Sequence, residues 1–289
     1  MLAQQLVNGV ALGSIYALVA LGFTMVYGLL FFINLPHGEI MMVGTFLALL
    51  FLVSGFHPAL ALVGAMLVTG VLGVLVERVV YRRLRYARRL APLLSALGLV
   101  LVFQNGVMLL VGPQEKAFPS VFGSAVLTLG DVRVPPTIVV TIAVAVTLMV
   151  LLHLFSTRTT IGIAIRGTSQ DMEAAQLVGI NVNTIVMITF WIGSALAAAG
   201  GFLLAARYGS VYANMGFPVM LKAFAACVLG GIGRIPGAVL GGLIIGVSEV
   251  LVAAYVSASY QNAVAFAILV AILLFRPVGL LGGRTEVRV

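Results

Sequence analysis

Long apolar runs separated by short polar breaks set the pattern of this chain and predict its elements. Crossing about 30 Å of hydrocarbon takes roughly 20 apolar residues in a helix. Runs of that kind lie near residues 6–28, 38–55, 58–80, 92–112, 136–155, 184–206, 236–256 and 260–276. A ninth stretch, 219–233, is short for a span and carries Gly230, Gly231 and Gly233. It either crosses steeply or enters and breaks, as helices lining a protein-enclosed path do. The expected fold is all-α: a polytopic transmembrane helical bundle of about 8–9 spans, with a short cytoplasmic helix, forming one domain over 1–289.

The polar breaks predict orientation. The densest basic loop, 78–89, holds Arg78, Arg82, Arg83, Arg85, Arg88 and Arg89, and positive loops stay in the cytoplasm. Alternation then places 157–183 inside and, if 219–233 crosses, Arg234 and the tail with Arg276, Arg284 and Arg288 inside as well. The N-terminus, 113–135 and 207–218 fall outside. The outer segment 113–135 contains Leu129-Gly130-Asp131, a turn signal with room for short strands. Residues 1–9 lack the basic stretch that precedes the apolar core of a signal peptide, so the first apolar run is expected to stay as a helix.

Composition strengthens the membrane assignment. Soluble domains carry about 25% charged residues; this chain has 8%, with 62% hydrophobic. Most of its surface must therefore face membrane lipid. The net charge of +8 does not point to nucleic acid, because the basic residues sit between spans rather than along one polar face. The single Cys227 excludes an internal disulfide and a multi-cysteine metal site. His57 and His153 have no partners at metal-ligand spacing, and Trp191 lies inside its span, where packing is its natural role.

The polar segment 157–183 is the long cytoplasmic connection. Thr168 as a cap with Asp171 three residues on predicts a helix start. Acidic Asp171 and Glu173 suit its first turn, and Gly179 suits its end. The product is a helix of about ten residues, too short to span, displaying Ala174, Ala175, Leu177 and Val178 beside charge. Such a helix either docks on a soluble partner or lies on lipid. Its polar face has fewer basic residues than lipid binding usually requires, which favours a protein partner.

Short motifs lie along most of the chain. They begin with Asn8-Gly9, Leu12 to Leu18 and His37-Gly38-Glu39. Next come Glu77-Arg78, Tyr81-Arg82 and Arg89 to Leu93, then Gly162 to Asn181. The last are Lys222-Ala223-Phe224, Leu229 to Gly233, Ile235 to Ala238 and Arg276 to Leu280. Together, in this order, they resemble the branched-chain amino acid permease family of the LivH type, from whose pattern the chain departs at Leu35-Pro36, Arg83 and Ile163. The resemblance implies a half-transporter of the bacterial inner membrane, and the alternation above gives it a cytoplasmic C-terminus. Its implied partners are a second homologous permease, two cytoplasmic ATPase subunits and a periplasmic solute-binding protein. ATP and magnesium are then bound by the ATPases, with no cofactor and no enzymatic activity in this chain. It also implies that Arg166, Thr168, Ser169, Gln170, Asp171, Glu173, Ala174, Ala175 and Gly179 couple the bundle to the ATPase. Consistently, the sequence has no Gly-x-x-x-x-Gly-Lys-Ser/Thr phosphate loop.

Ionisable groups within spans are functional candidates. Glu39 and Glu249 are the acids deepest in apolar runs, with Lys222 the matching base, and His37 lies beside Glu39. Each is either part of a gate or pathway, or half of a structural pair. Asn8, Ser14, Tyr16, Asn34, Gln104 and Asn105 are further pathway candidates, each alternatively an interhelical hydrogen bond. A self-contained secondary transporter or channel is the rival class, although Glu39 and Glu249 are thin support for ion coupling. An intramembrane enzyme would need a nucleophile and base, or paired acids and a metal, at readable spacing; no such set is present.

Overall fold

The computed structural model describes residues 1–85, 87, 90–123, 126–129 and 132–282. Arg88, Arg89, Gly130, Asp131, Arg284 and Arg288 lie outside the described residues. The helices are α1 (Leu2–Leu30), α2 (His37–Val53), α3 (Pro58–Leu84), α4 (Leu90–Val111), α5 (Pro136–Arg158), α6 (Thr160–Gln170), α7 (Met172–Leu177), α8 (Val182–Tyr208), α9 (Gly216–Gly230), α10 (Ile235–Tyr255) and α11 (Gln261–Phe275). Among the described residues, seven helices are long and apolar enough to cross a membrane, and α2 and α9 are shorter apolar helices. Each of the nine predicted runs is a helix, and the chain is a polytopic helical membrane bundle.

The central helix is α1, whose middle is buried all round, with α10, α8, α9 and α5 against it. In lipid, helices gain little from hydrophobic association and rely on close backbone approach. Glycine supplies it at the α1–α10 seam. A Cβ on Gly13 would lie 2.7 Å from Leu243 Cα, and one on Gly242 would lie 2.6 Å from Ala17 N. Helices α3, α4, α5 and α11 keep broad apolar faces outward, as lipid contact requires.

Among the described residues, one end of the bundle carries four short strands, β1 (Lys116–Ala117), β2 (Leu127–Leu129), β3 (Val132–Val134) and β4 (Ser210–Val211). β1 pairs antiparallel with β4 and β2 with β3. Gln4 fastens the N-terminus to this end, donating to Arg133 O (2.9 Å) and accepting from Arg133 N (2.8 Å). At the other end, Arg85 donates to Asn183 Oδ1 (2.9 Å) and Arg234 to Leu281 O (2.6 Å). The segments expected outside thus gather at one end, and the described parts of those expected inside gather at the other.

Helices α2 and α9 both begin inside the bundle. Each follows a short connection that places some of its residues in the interior: Asn34 and Pro36 before α2, and Ala213 and Met215 before α9. Irregular backbone at membrane depth is tolerated where protein surrounds it. The first turns of the two helices touch: a Cβ on Gly216 would lie 2.5 Å from Gly38 O and 2.7 Å from Glu39 Oε2. The ninth apolar run is therefore a short helix that starts deep in the bundle and stops at Gly231, where φ is +103°.

Candidate functional site

The connection 157–183 is two helices joined at a corner, not one. Thr159 Oγ1 accepts from Gly162 N (3.0 Å) to cap α6, an 11-residue amphipathic helix absent from the sequence expectation. Thr168 is not a cap: it is buried within α6 and its hydroxyl has no hydrogen-bond partner. Asp171 takes that role for α7, its Oδ1 accepting from Glu173 N and Ala174 N, both at 2.9 Å. A side-chain oxygen at the cap satisfies donors that a helix start leaves free.

The far end of α7 closes as the glycine signal predicts. Gly179 has φ +86°, with Gly179 N donating to Gln176 O (3.0 Å) and Ile180 N to Ala175 O (3.0 Å). This is a Schellman closure. With both ends fastened, the six-residue helix has a fixed orientation. Ala175 is buried and anchors it to the bundle, whereas Glu173, Ala174 and Gln176 are exposed. Leu177 and Val178 are 88% and 77% exposed. Ser169 Oγ donates to Arg166 O (2.7 Å), and Gln170 ends α6 on the exposed side. Arg166 and Arg234 line a cleft of about 540 Å³ beside α6, with Thr24, Tyr27 and Ser169.

Within the membrane-spanning part the polar candidates separate into clusters. Lys222 Nζ donates to Glu249 Oε1 (2.6 Å) and to Tyr16 Oη (3.1 Å), and Gln261 Nε2 donates to the same Glu249 oxygen (2.6 Å). The ammonium also lies 5.4 Å from the Tyr16 ring centroid. This cluster joins α1, α9, α10 and α11. Glu39 stands apart from it: its Oε1 accepts from Gln104 Nε2 on α4 (2.8 Å). His37 turns away from Glu39, with Nε2 3.1 Å from Val19 O.

The remaining candidates are dispersed. Asn34 Oδ1 accepts from the buried Tyr81 hydroxyl (3.1 Å), and Tyr81 packs between Phe32 and Phe190. Ser14 donates to Val10 O and Asn105 to Leu101 O, each within its own helix. Asn8 meets Gln4 and Gln5 at the strand-bearing end.

A third buried cluster escapes reading from spacing. Glu77 is wholly buried and accepts from Arg82 (3.1 and 3.3 Å) and Arg85 (2.9 Å). Arg82 is five residues away, a spacing that puts side chains on different faces of a regular α-helix. Residues Glu77–Tyr81 form a π-turn, with Arg82 N donating to Glu77 O. The extra residue in that turn brings Arg82 back over Glu77. Gln261, at the start of α11, was likewise invisible because its partner lies on a different helix.

A model of the family described as branched-chain amino acid transport system / permease component matches residues 5–273. The high-affinity branched-chain amino acid transport system permease protein BraD of Pseudomonas aeruginosa is 42% identical, across 98% of this chain and 96% of its own. LivH of Escherichia coli K12, a permease protein of the same description, is 41% identical across 98% and 96%. The xylose transport system permease protein XylH of Escherichia coli K12 is 36% identical across 46% of this chain and 37% of its own. No solved structure matches. With a family match across nearly its whole length and full-length relatives above two-fifths identity, this chain belongs to the branched-chain amino acid transport system permease family.

Proposed function

We propose that this chain is a permease subunit of an ATP-driven importer of branched-chain amino acids in the bacterial inner membrane. The single domain pairs with a second, homologous permease. Two ATPase subunits dock at the arginine-bearing end, which faces the cytoplasm together with the C-terminus, and a periplasmic solute-binding protein delivers substrate to the strand-bearing end. ATP and magnesium are bound by the ATPases. Arginine-rich loops at one end support the orientation, and the full-length relatives support the substrate class.

The observation that carries the ATPase partnership is α7. A six-residue helix capped at both ends, seated by Ala175 and presenting Leu177 and Val178 to solvent, is built for contact with another protein. In the proposed cycle, closure of the ATPase dimer displaces α7, and α6 passes the motion to the spans it packs on. α6 lies against α1, α5 and α8, so displacement of one short helix reaches the centre of the bundle.

The test is co-purification with candidate ATPases followed by ATP hydrolysis in lipid, for wild type and Ala174→Glu. The expected result is a stable wild-type complex that Ala174→Glu dissociates or uncouples. If no ATPase binds, or the variant behaves as wild type, α7 is not a coupling element and a self-contained transporter takes precedence.

A further inference from the structure

Three carboxylates among the described residues are wholly buried: Glu39, Glu77 and Glu249. Arg82 and Arg85 neutralise Glu77, and Lys222 neutralises Glu249. Among the described residues, Glu39 has no cationic group within 4.0 Å. A buried charge within the membrane is costly unless it is paired. The same bundle twice meets that cost with a cation from its own chain, and at Glu39 it does not.

The surroundings of Glu39 offer its carboxyl helix dipoles and one amide donor, but no cation among the described residues. Glu39 lies in the first turn of α2, where the helix dipole favours negative charge. The first turn of α9 meets it there, so two short helices direct their positive ends to one place. Gln104 Nε2 fixes Oε1 from α4, whereas Oε2 is buried, has no hydrogen-bond partner and points at Gly216. The site is one helix layer below the bundle surface: Gln104 is half-buried, and Asn105, the next residue of α4, is exposed.

We propose that Glu39 Oε2 is the ammonium-binding point for an amino acid crossing the bundle, with Gln104 as the residue that positions the carboxylate. The substrate supplies, in passing, the cation this chain withholds. No covalent step is involved; the ammonium exchanges its hydration for one charged hydrogen bond. The pathway then runs along the α2–α4 side, and Lys222–Glu249, already self-neutralised, is a structural fastener between helices. The inference rests on the importer reading above for the identity of the cargo.

The test is labelling of Glu39 by dicyclohexylcarbodiimide in native membrane vesicles containing the full chain, followed by peptide mass spectrometry. Leucine is compared with 4-methylpentanoate, which keeps the carbon skeleton without the ammonium, and with sodium chloride. Leucine at tens of millimolar should slow labelling by about threefold or more, as for a site of millimolar affinity, and 4-methylpentanoate should not. Glu39→Gln should reduce leucine uptake by about tenfold or more, with Glu39→Asp recovering part of it. Equal protection by 4-methylpentanoate, protection by sodium chloride alone, or no protection by leucine overturns the proposal. So does uptake by Glu39→Gln within about twofold of wild type. Labelling requires no bound ATPase, so its failure is separate from failure of the importer reading.

Discussion

Among the described residues, buried charge is paired at Lys222 and Glu249 and unpaired at Glu39. Lys222 and Glu249 neutralise each other at 2.6 Å, and removing one leaves the other buried and unpaired. Breaking a buried pair from one side typically costs about 3–5 kcal/mol, whereas replacing both partners by apolar groups is often close to neutral. Lys222→Met and Glu249→Leu should therefore each destabilise the chain strongly, and the double variant should be more stable than either. Cys227 makes this measurable, since the one cysteine is buried and reacts with a thiol-sensitive dye only as the bundle opens. Strictly additive losses would show that the two residues act independently. The sequence identified this pair by charge and depth alone, but it could not decide whether Lys222 meets Glu39 or Glu249. That choice depends on how α9 crosses α2 and α10, which no local spacing encodes. Glu77 was hidden for a different reason: its i+5 partner becomes a neighbour only through the π-turn.

Short elements show how much a cap decides. Ser, Thr and Asp all serve as N-caps, so the run from Thr168 to Asp171 offers more than one start. Burial selects Asp171: Thr168 lies on the inward face of amphipathic α6, and its helix continues to Gln170. Gly179 was legible because a left-handed turn at the end of a helix favours glycine strongly. Asp171→Ala removes the acceptor of two backbone N–H groups, a loss of about 1 kcal/mol. A six-residue helix has little else to hold it, because short helices are marginal on their own. The expected outcome is unchanged thermal unfolding of the bundle with weakened ATPase docking, measured by co-purification. Asp171→Ser, which keeps a capping oxygen, should restore docking. Loss of docking that Asp171→Ser fails to restore would assign Asp171 to the contact surface itself rather than to the cap.

At the scale of the whole molecule, the spans were legible because lipid allows few alternatives for apolar runs of this length. The bundle order was not, because packing in lipid depends on small residues such as Gly13, Gly242 and Gly246 meeting across sequence distance. Orientation joins both kinds of information. Strand pairing brings 116–117 to 210–211, and Arg85 meets Asn183, so loops far apart in sequence share an end. The described basic residues Arg78, Arg82, Arg83, Arg85, Arg158, Arg166, Arg234 and Arg276 belong to one end, against Lys116, Arg133 and Arg207 at the other. This asymmetry predicts a cytoplasmic arginine end. Cysteines introduced at Leu177 and Ser259 test it, because both positions are exposed, they lie at opposite ends, and Cys227 is buried. A membrane-impermeant maleimide should label Leu177→Cys in inside-out vesicles and Ser259→Cys in right-side-out vesicles. The reverse pattern would place α7 on the outer face, where no ATP is available, and would remove the basis for coupling through it. Labelling of both positions from one side would instead contradict the shared-end geometry, since α10 connects the two ends in a single crossing.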